Sequence, residues 1–355
     1  MKGLLLNNKY YGIKKSNVNY GILRYDPLYF IALEDNSSVG YQKVGDPPGT
    51  NFSYSYDNIN WISWDGTSIA LNKDDLIYVK GYNPNGICSG ISDYLYFTMS
   101  GKIRAQGDIN SLLYIGYSPT EQLPINCYYY LFKDCTSLVY PPSLPSLNLS
   151  VQCYRTMFYN CTSLVQAPEL PATTLESGCY SYMFYNCTSL VQAPELPATI
   201  AVTNCYDCMF YGCTSLVTAP DLPATTLARY CYSHMFRGCS SLINAPELPA
   251  TTLINYCYYY MFAGCTSLVN APELPATTLV DDCYGYMFYG CTSLNYVKTA
   301  FTGDFRTSTG GWGGTYDYTT SWLSGVSSIG DFYYNGETIR RGVSAIPTDW
   351  TVHTF

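Results

Sequence analysis

From Cys127 to about Leu294 the apolar and polar positions of the chain recur every 26 residues without a slip. The fullest copy starts at Cys179 and reads CYSYMFYNCTSLVQAPELPATIAVTN. Cysteine opens each unit at 127, 153, 179, 205, 231, 257 and 283, and a second cysteine follows eight residues later in each. A strict period of this length marks a solenoid. One unit cannot bury its apolar face alone, but stacked on its neighbours it can. Within the unit, the spacing of CYxxMFxxC predicts a short helix, ended by the Gly or Asn before the second cysteine. TSLV supplies apolar and β-branched residues for a short strand. The two prolines of APELPATTL stop that strand and shape the return. Seven helix pieces and eight strand pieces, at about 4.8 Å per strand, predict a sheet of roughly 35 Å.

Outside the repeat the pattern changes. Residues 1–24 form a short basic lead in which LLLNNKYYGI predicts a hairpin turning at Asn7-Asn8. It is a frayed terminus, the first strand of the next domain, or a docking segment for a larger assembly. Residues 25–106 predict a β-sandwich, with strands in YFIALE, NFSYSY, INWISW, TSIALN, LIYVKGY, YLYFTMSG and KIRAQG between Gly, Asn, Asp and Pro clusters. Trp61 and Trp64 offer rings for a sugar, or fill the core there. The solenoid is assigned to 107–294. SLL at 111–113 matches TSLV, with Leu112 one period before Leu138, so a half-unit is expected before the first cysteine. Residues 295–355 are expected to be a terminal cap: SWLSGVSSI sets Trp322 and Leu323 in place of Met-Phe, and FYYNGETIRRG predicts a hairpin at Asn335-Gly336.

Helix, strand and turn in 26 residues fall in the leucine-rich-repeat range. MFYGCTSLVxAPELPATTL resembles the BspA-like leucine-rich repeats of gut and oral bacteria and of their phages, whose pattern is AFxxCxSLxxIxIP. The resemblance covers residues 107–294, and GVSAIPTDWTV looks like a closing segment of such proteins. The seventeenth position departs from the family, being Glu or Asp where an apolar residue is usual. The fold expected is mainly β with short helices: an N-terminal β-sandwich, a leucine-rich-repeat solenoid and a C-terminal cap.

Composition sharpens this picture. The chain has 355 residues, 47% of them apolar and 12% charged, with 39 tyrosines and a net charge of −8. About a quarter charged is usual, so Tyr, Ser, Thr and Asn are expected to make much of the surface. The negative charge argues against nucleic acid and anionic membrane as partners. No stretch approaches transmembrane length, and no leader is legible at MKGLLLNNKYY. Folding in a bacterial cytoplasm is therefore expected. Of the sixteen cysteines, fourteen stand in the two repeat columns. Across a short helix a unit's own pair would lie about 12 Å apart, too far for a disulfide. Two ladders of buried free thiols are expected, with Cys88 and Cys208 outside them. No metal-ligand motif is present and no metal is expected. Cys205 and Cys208 make a lone CxxC, a weak signal without a second pair.

Chemistry has few candidates. His234 and His353 are the only histidines and lie far apart in sequence. His234 replaces Tyr at a repeat position and reads as a surface variation. No nucleophile elbow, P-loop, dinucleotide fingerprint or zinc-protease motif occurs. Glu169, Glu195, Asp221, Glu247 and Glu273 form a repeated acidic ladder rather than one asymmetric pair, so they read as a structural column and not a glycosidase site. Neighbouring carboxylates about 5 Å apart repel by about 0.8 kcal/mol in water. Either the side chains splay, or a cation such as Ca²⁺ relieves them.

Two columns vary while the core does not. The fourteenth position reads Gln166, Gln192, Thr218, Asn244 and Asn270. The seventh reads Lys133, Tyr159, Tyr185, Tyr211, Arg237, Ala263 and Tyr289. Tyrosine with small polar residues suits a recognition surface. The candidate ligand-binding residues are these five of the fourteenth position together with Tyr159, Tyr185, Tyr211, Arg237 and Tyr289. The function expected is non-catalytic, with no cofactor: a bacteriophage virion surface protein, such as a fibre or decoration protein, that adheres to the bacterial surface. The partners expected are a bacterial surface glycan or protein and, through the N-terminal region, other virion proteins; self-association stays open. The alternatives are a bacterial cell-surface adhesin and a carbohydrate-acting enzyme.

Overall fold

The computed structural model describes residues 4–6, 9–11, 26–303, 305–309, 315–334, 336, 340–342 and 344–354. In the lead, β1 (Leu4–Leu6) pairs antiparallel with β2 (Lys9–Tyr11), Leu4 opposite Tyr11. The turn expected at Asn7-Asn8 lies outside the described residues.

Eight strands follow: β3 (Leu28–Ala32), β4 (Ser37–Val44), β5 (Phe52–Ser55), β6 (Ile62–Trp64), β7 (Ile69–Leu71), β8 (Leu76–Gly81), β9 (Tyr94–Ser100) and β10 (Ile103–Gln106). Strands β7-β4-β9 form one sheet. The other runs β11-β10-β3-β8-β5-β6, where β11 is Leu138–Tyr140 of the first repeat. The two sheets share a core: Phe30 of β3 meets Phe97 of β9 with ring centroids 5.1 Å apart. Trp64 is buried there, edge-on to Tyr41 at 5.0 Å, and its carbonyl accepts the Tyr41 hydroxyl. Trp61 stays half-buried, with the Lys80 ammonium 3.9 Å from its ring centre. The sequence reading missed β4. Its residues SSVGYQKV lack a sustained apolar alternation, and Gly40 interrupts them. A Cβ at Gly40 would lie 3.0 Å from the Gly66 carbonyl and from Thr98 Oγ1, so the strand needs glycine for close approach.

The repeats form coils, but the expected helices are absent. Among the described residues the one helical element is a short 3-10 turn, Ile109–Leu112. CYxxMFxxC is instead a ribbon of overlapping turns whose amides alternate between two kinds of partner. In the first unit the Tyr129, Leu131, Lys133 and Cys135 amides donate to carbonyls three residues back. The amides between them point to the next coil: Tyr128 to Cys153, Tyr130 to Arg155, Phe132 to Met157 and Asp134 to Tyr159, at 2.8–3.4 Å. Every second turn needs a positive φ at its third residue, as a type II turn does. That residue falls just before each cysteine and midway between them, as at Asn126 (54°), Tyr130 (62°) and Asp134 (59°). A residue in the left-handed region ends a helix. The Gly or Asn before the second cysteine is therefore a turn residue of the ribbon and not a helix end.

Apolar side chains at the first, second, fifth, sixth and ninth positions point inward and stack from coil to coil. Seven tyrosines from Tyr128 to Tyr284 lie 5.5–6.0 Å apart, ring over ring. Seven phenylalanines from Phe132 to Phe288 lie 5.3–5.7 Å apart. All sixteen cysteines are free and buried. Those of the second column, Cys161 to Cys291, donate Sγ–H to the Phe carbonyl of the preceding coil, with sulfur–oxygen distances of 3.0–3.1 Å. That carbonyl already accepts an amide from its own coil. Cysteine here is a small apolar filler that also satisfies a second buried lone pair.

The expected strand at TSLV is also shifted. From the second unit on those residues turn, as Leu164 donates to Cys161. Pairing falls at the fourteenth position, through single parallel bridges Gln166–Gln192–Thr218–Asn244–Asn270–Tyr296. Proline at the sixteenth position has no amide to extend them. The continuous 35 Å sheet is thus replaced by a line of bridges, with three-residue strands at its ends, β11 and β14 (Tyr296–Lys298), and two-residue strands β12 (Ile200–Ala201) and β13 (Thr226–Leu227) elsewhere.

Both ends of the stack are met by residues that reproduce a coil's hydrogen bonds. At the start the neighbour is not SLL, which lies in and just beyond the 3-10 turn, but β9 and β10. Ile103 pairs with Leu138. The Ile87 amide donates to Cys127 and the Phe97 amide to Leu131, as Tyr and Phe of a preceding coil would. The Phe97 carbonyl accepts Cys135 Sγ–H at 3.1 Å. At the other end Tyr284, Tyr286, Phe288 and Gly290 donate to Tyr318, Thr320, Trp322 and Ser324, which sets Trp322 and Leu323 at the Met-Phe positions. Beyond them β15 (Arg306–Thr309) pairs with β16 (Thr315–Asp317), and β17 (Asp331–Tyr333) lies parallel between β14 and β18 (Thr351–His353). Asn335 of the expected hairpin turn lies outside the described residues.

Two predictions follow from the packing. Burial pushes the Cys179, Cys231, Cys283 and Cys291 thiols up to about 12, so they stay protonated and unreactive at neutral pH. Alkylation without reductant is expected to leave the native thiols largely unmodified, and to label all sixteen after denaturation. Seven or more disulfides by mass spectrometry would contradict this. Gly264 has φ 76° with room for a Cβ. Gly264→Ala is expected to lower stability by about 1 kcal/mol, whereas Gly264→Asn, the residue of Asn160 and Asn186 in the same column, should cost clearly less in a chemical melt.

Candidate binding surface

The fourteenth-position residues Gln166, Gln192, Thr218, Asn244 and Asn270 are all exposed. Their bridges hold them at the coil spacing. Beside them Val191, Val217, Ile243 and Val269 are 38–51% exposed, so an amide row runs along an aliphatic one. Gln166 and Gln192 line an open groove of about 790 Å³, floored by Tyr140, Ala167 and Pro168 and edged by Glu169 and Glu195. A second groove of about 420 Å³ shares Tyr140 and Gln166 and reaches Arg104 of β10. The Arg104 guanidinium lies 4.5 Å from the Tyr140 ring centre. The two grooves together follow the junction between the N-terminal sheet and the first coils. Thr218, Asn244 and Asn270 continue the column beyond it.

The seventh-position residues belong to the turn ribbon and line neither groove. Tyr159, Tyr185, Tyr211 and Arg237 are half-buried, Tyr289 is exposed and Ala263 is buried. Tyr159, Tyr185 and Tyr211 stack at 4.9 and 4.6 Å. Arg237 carries the run onward, lying 5.4 Å from the Tyr211 ring and 4.6 Å from that of Tyr260, which stacks on Tyr286 at 4.3 Å. These rings spend their faces on one another. What they offer a ligand is edges, hydroxyls and one guanidinium at regular spacing. The four basic residues between 107 and 294 all lie over tyrosines of this ribbon: Lys133, Arg155, Arg229 and Arg237. The chosen residues therefore divide into a polar column, which lines the grooves at Gln166 and Gln192, and a tyrosine–arginine column on the ribbon.

The acidic ladder is exposed along its length. Its last member, Glu273, accepts from Lys298 Nζ at 2.6 Å, and this contact raises the Lys298 pKa. His234 departs from its expected surface role. It is half-buried, stacked on Tyr260 at 5.0 Å, and bonded through Nδ1 to Ser233 Oγ at 2.7 Å. Asp207 and Cys208 stand against it, one coil earlier. The sequence reading passed over this group because its members meet only through the column. The available signal was that coil three carries Ser181-Tyr182 and coil six Tyr259-Tyr260 where coil four has Asp207-Cys208 and coil five has Ser233-His234.

Six copies of the BspA type leucine rich repeat region match the chain, over residues 125–269 and 205–302. No curated protein matches it. Among solved structures, a leucine-rich repeat protein from Bacteroides ovatus is similar at 16% identity and a TM-score of 0.25, over 58% of this chain. The matched part is 64% of that protein, so the chain spans less than two thirds of its length.

Exposed carboxylates that water screens have little need of an ion. Melting temperatures with calcium and with a chelator are expected to agree within error. A rise of several degrees with calcium would show that the ladder holds ions.

Proposed function

The chain belongs to the BspA-type leucine-rich-repeat family, and from that premise we propose that it is a non-catalytic adhesion protein displayed on a surface. The observation that carries this reading is the contrast between an invariant core and exposed columns that vary from coil to coil. A stiff stack can change such positions without disturbing its packing. Tyrosine hydroxyls, amides and an arginine at coil spacing suit a bacterial surface glycan or protein. We assign contact with that partner to Gln166, Gln192, Thr218, Asn244 and Asn270, and to Tyr159, Tyr185, Tyr211, Arg237 and Tyr289.

The finer reading is a bacteriophage virion component, mounted through its N-terminal sandwich on other virion proteins, with the solenoid facing outward. What supports the particle over a bacterial cell surface is the thiol chemistry. Sixteen buried free cysteines suit folding in a reducing cytoplasm, where particles assemble.

Deleting residues 1–106 is expected to abolish incorporation into particles. Alanine at Gln166, Gln192, Asn244 and Asn270 together should spare incorporation and reduce adhesion to cells at least several-fold. Incorporation of the truncated protein, or unchanged adhesion by the substituted one, would reverse these assignments. Detection on the cell envelope and not on particles would favour the cell-surface adhesin. Release of sugar from surface glycans would favour an enzyme.

A further inference from the structure

We propose that Asp207, Cys208 and His234 form a binding site for a zinc-type divalent ion, set into the turn ribbon between the fourth and fifth coils. Cys208 Sγ lies 3.5 Å from Asp207 Oδ1, and His234 Nδ1 lies 4.0 Å from the same oxygen. All three ligand atoms fall within 4.8 Å of one another. In a tetrahedral zinc site, with metal–ligand distances of about 2.0–2.3 Å, neighbouring ligand atoms stand about 3.5 Å apart. One pair already meets that spacing, and a small side-chain rotation would bring in the imidazole. Carboxylate, thiolate and imidazole together favour zinc or cobalt over calcium or magnesium, which prefer oxygen alone. Three protein ligands leave a fourth position for water.

The site is an exception within a regular array. Cys208 and His234 occupy the column held by Tyr182, Tyr260 and Tyr286, and both have φ 55°, in the left-handed region. The Cys208 amide donates to the Ser233 carbonyl at 2.9 Å, so the ribbon's own hydrogen bonding fixes one ligand's coil against the other's. Coordination through His234 Nδ1 replaces its hydrogen bond with Ser233 Oγ at 2.7 Å. The Cys208 thiol proton leaves to solvent as the ion binds. The nearby guanidinium groups oppose a cation, but each lies over a ring: Arg155 over Tyr182, Arg237 over Tyr211 and Tyr260. One coil before Asp207 in its column, the buried Ser181 hydroxyl has no hydrogen-bond partner, so polar capacity is unspent beside the cluster.

The site stands apart from the proposed adhesive role and is tested without it. Full-length protein, stripped by chelator, is titrated with Zn²⁺, and with Co²⁺ as an absorbing probe. The expected result is one tight equivalent, a thiolate-to-cobalt absorption band, and a melting temperature that rises with zinc. His234→Tyr and Cys208→Tyr restore the residue that neighbouring coils carry and so keep the fold, which circular dichroism checks. Each is expected to weaken binding at least tenfold and to abolish the band, whereas Glu195→Gln leaves both unchanged. Absence of a tight equivalent in the parent protein would overturn the proposal. So would a cobalt spectrum without the thiolate band, or undiminished binding in folded His234→Tyr.

Discussion

Every second amide in the turn ribbon donates to the coil that follows, and the rest of the molecule is arranged around that fact. A coil by itself would leave those donors without partners, and a buried donor without a partner destabilises by about 1–3 kcal/mol. The stacked Tyr and Phe rings fit the spacing that these bonds impose. The second-column cysteines return a weak donor to the coil before, on carbonyls that the ribbon leaves half satisfied. Both ends of the stack obey the same requirement. Ile87 and Phe97 give to the first coil what a preceding coil would give, and Trp322 and its neighbours receive what the last coil offers.

Much of this was legible in the sequence, and the failures have identifiable causes. The 26-residue period announced coils, the cysteine columns announced buried thiols, and Trp322-Leu323 could be set at the Met-Phe positions from their neighbours alone. The helices were misread because apolar residues at positions one, two, five, six and nine fit a period of four as well as one of 3.6 over so short a stretch. The ribbon repeats every four residues, since it alternates two kinds of turn. Strand β4 carries too little alternation to be seen, and its glycine is explained only by strands that fold against it later. Leu112 matched its repeat position in sequence, yet β10 occupies the place beside the first coil because the six-stranded sheet runs on into it. The candidate surface was legible as two variable columns. That they face different surroundings, one beside grooves and one within a stack of rings, depends on packing that no single column records.

The ribbon also holds bulky residues where glycine or asparagine would be easier. Tyr182, Tyr260 and Tyr286 have φ of 54–58°, a region that tyrosine enters at a cost of about 1–3 kcal/mol. Their hydrogen bonds to the next coil and their ring contacts over-determine the conformation. A position held in this way tolerates a change of side chain, because the backbone is fixed by its neighbours and not by the residue itself. Cys208 and His234 occupy that column in the same conformation.

The ribbon's bonds have a direction. Donors face the coil that comes later in the chain, and the first coil rests on strands that come earlier. During synthesis the N-terminal strands leave the ribosome first. They present a finished edge, and each 26-residue segment can settle on the one before it as it emerges, leaving one row of amides waiting for the next. The stack can therefore assemble as a zipper closing from one end, and its length does not change the difficulty of any single step.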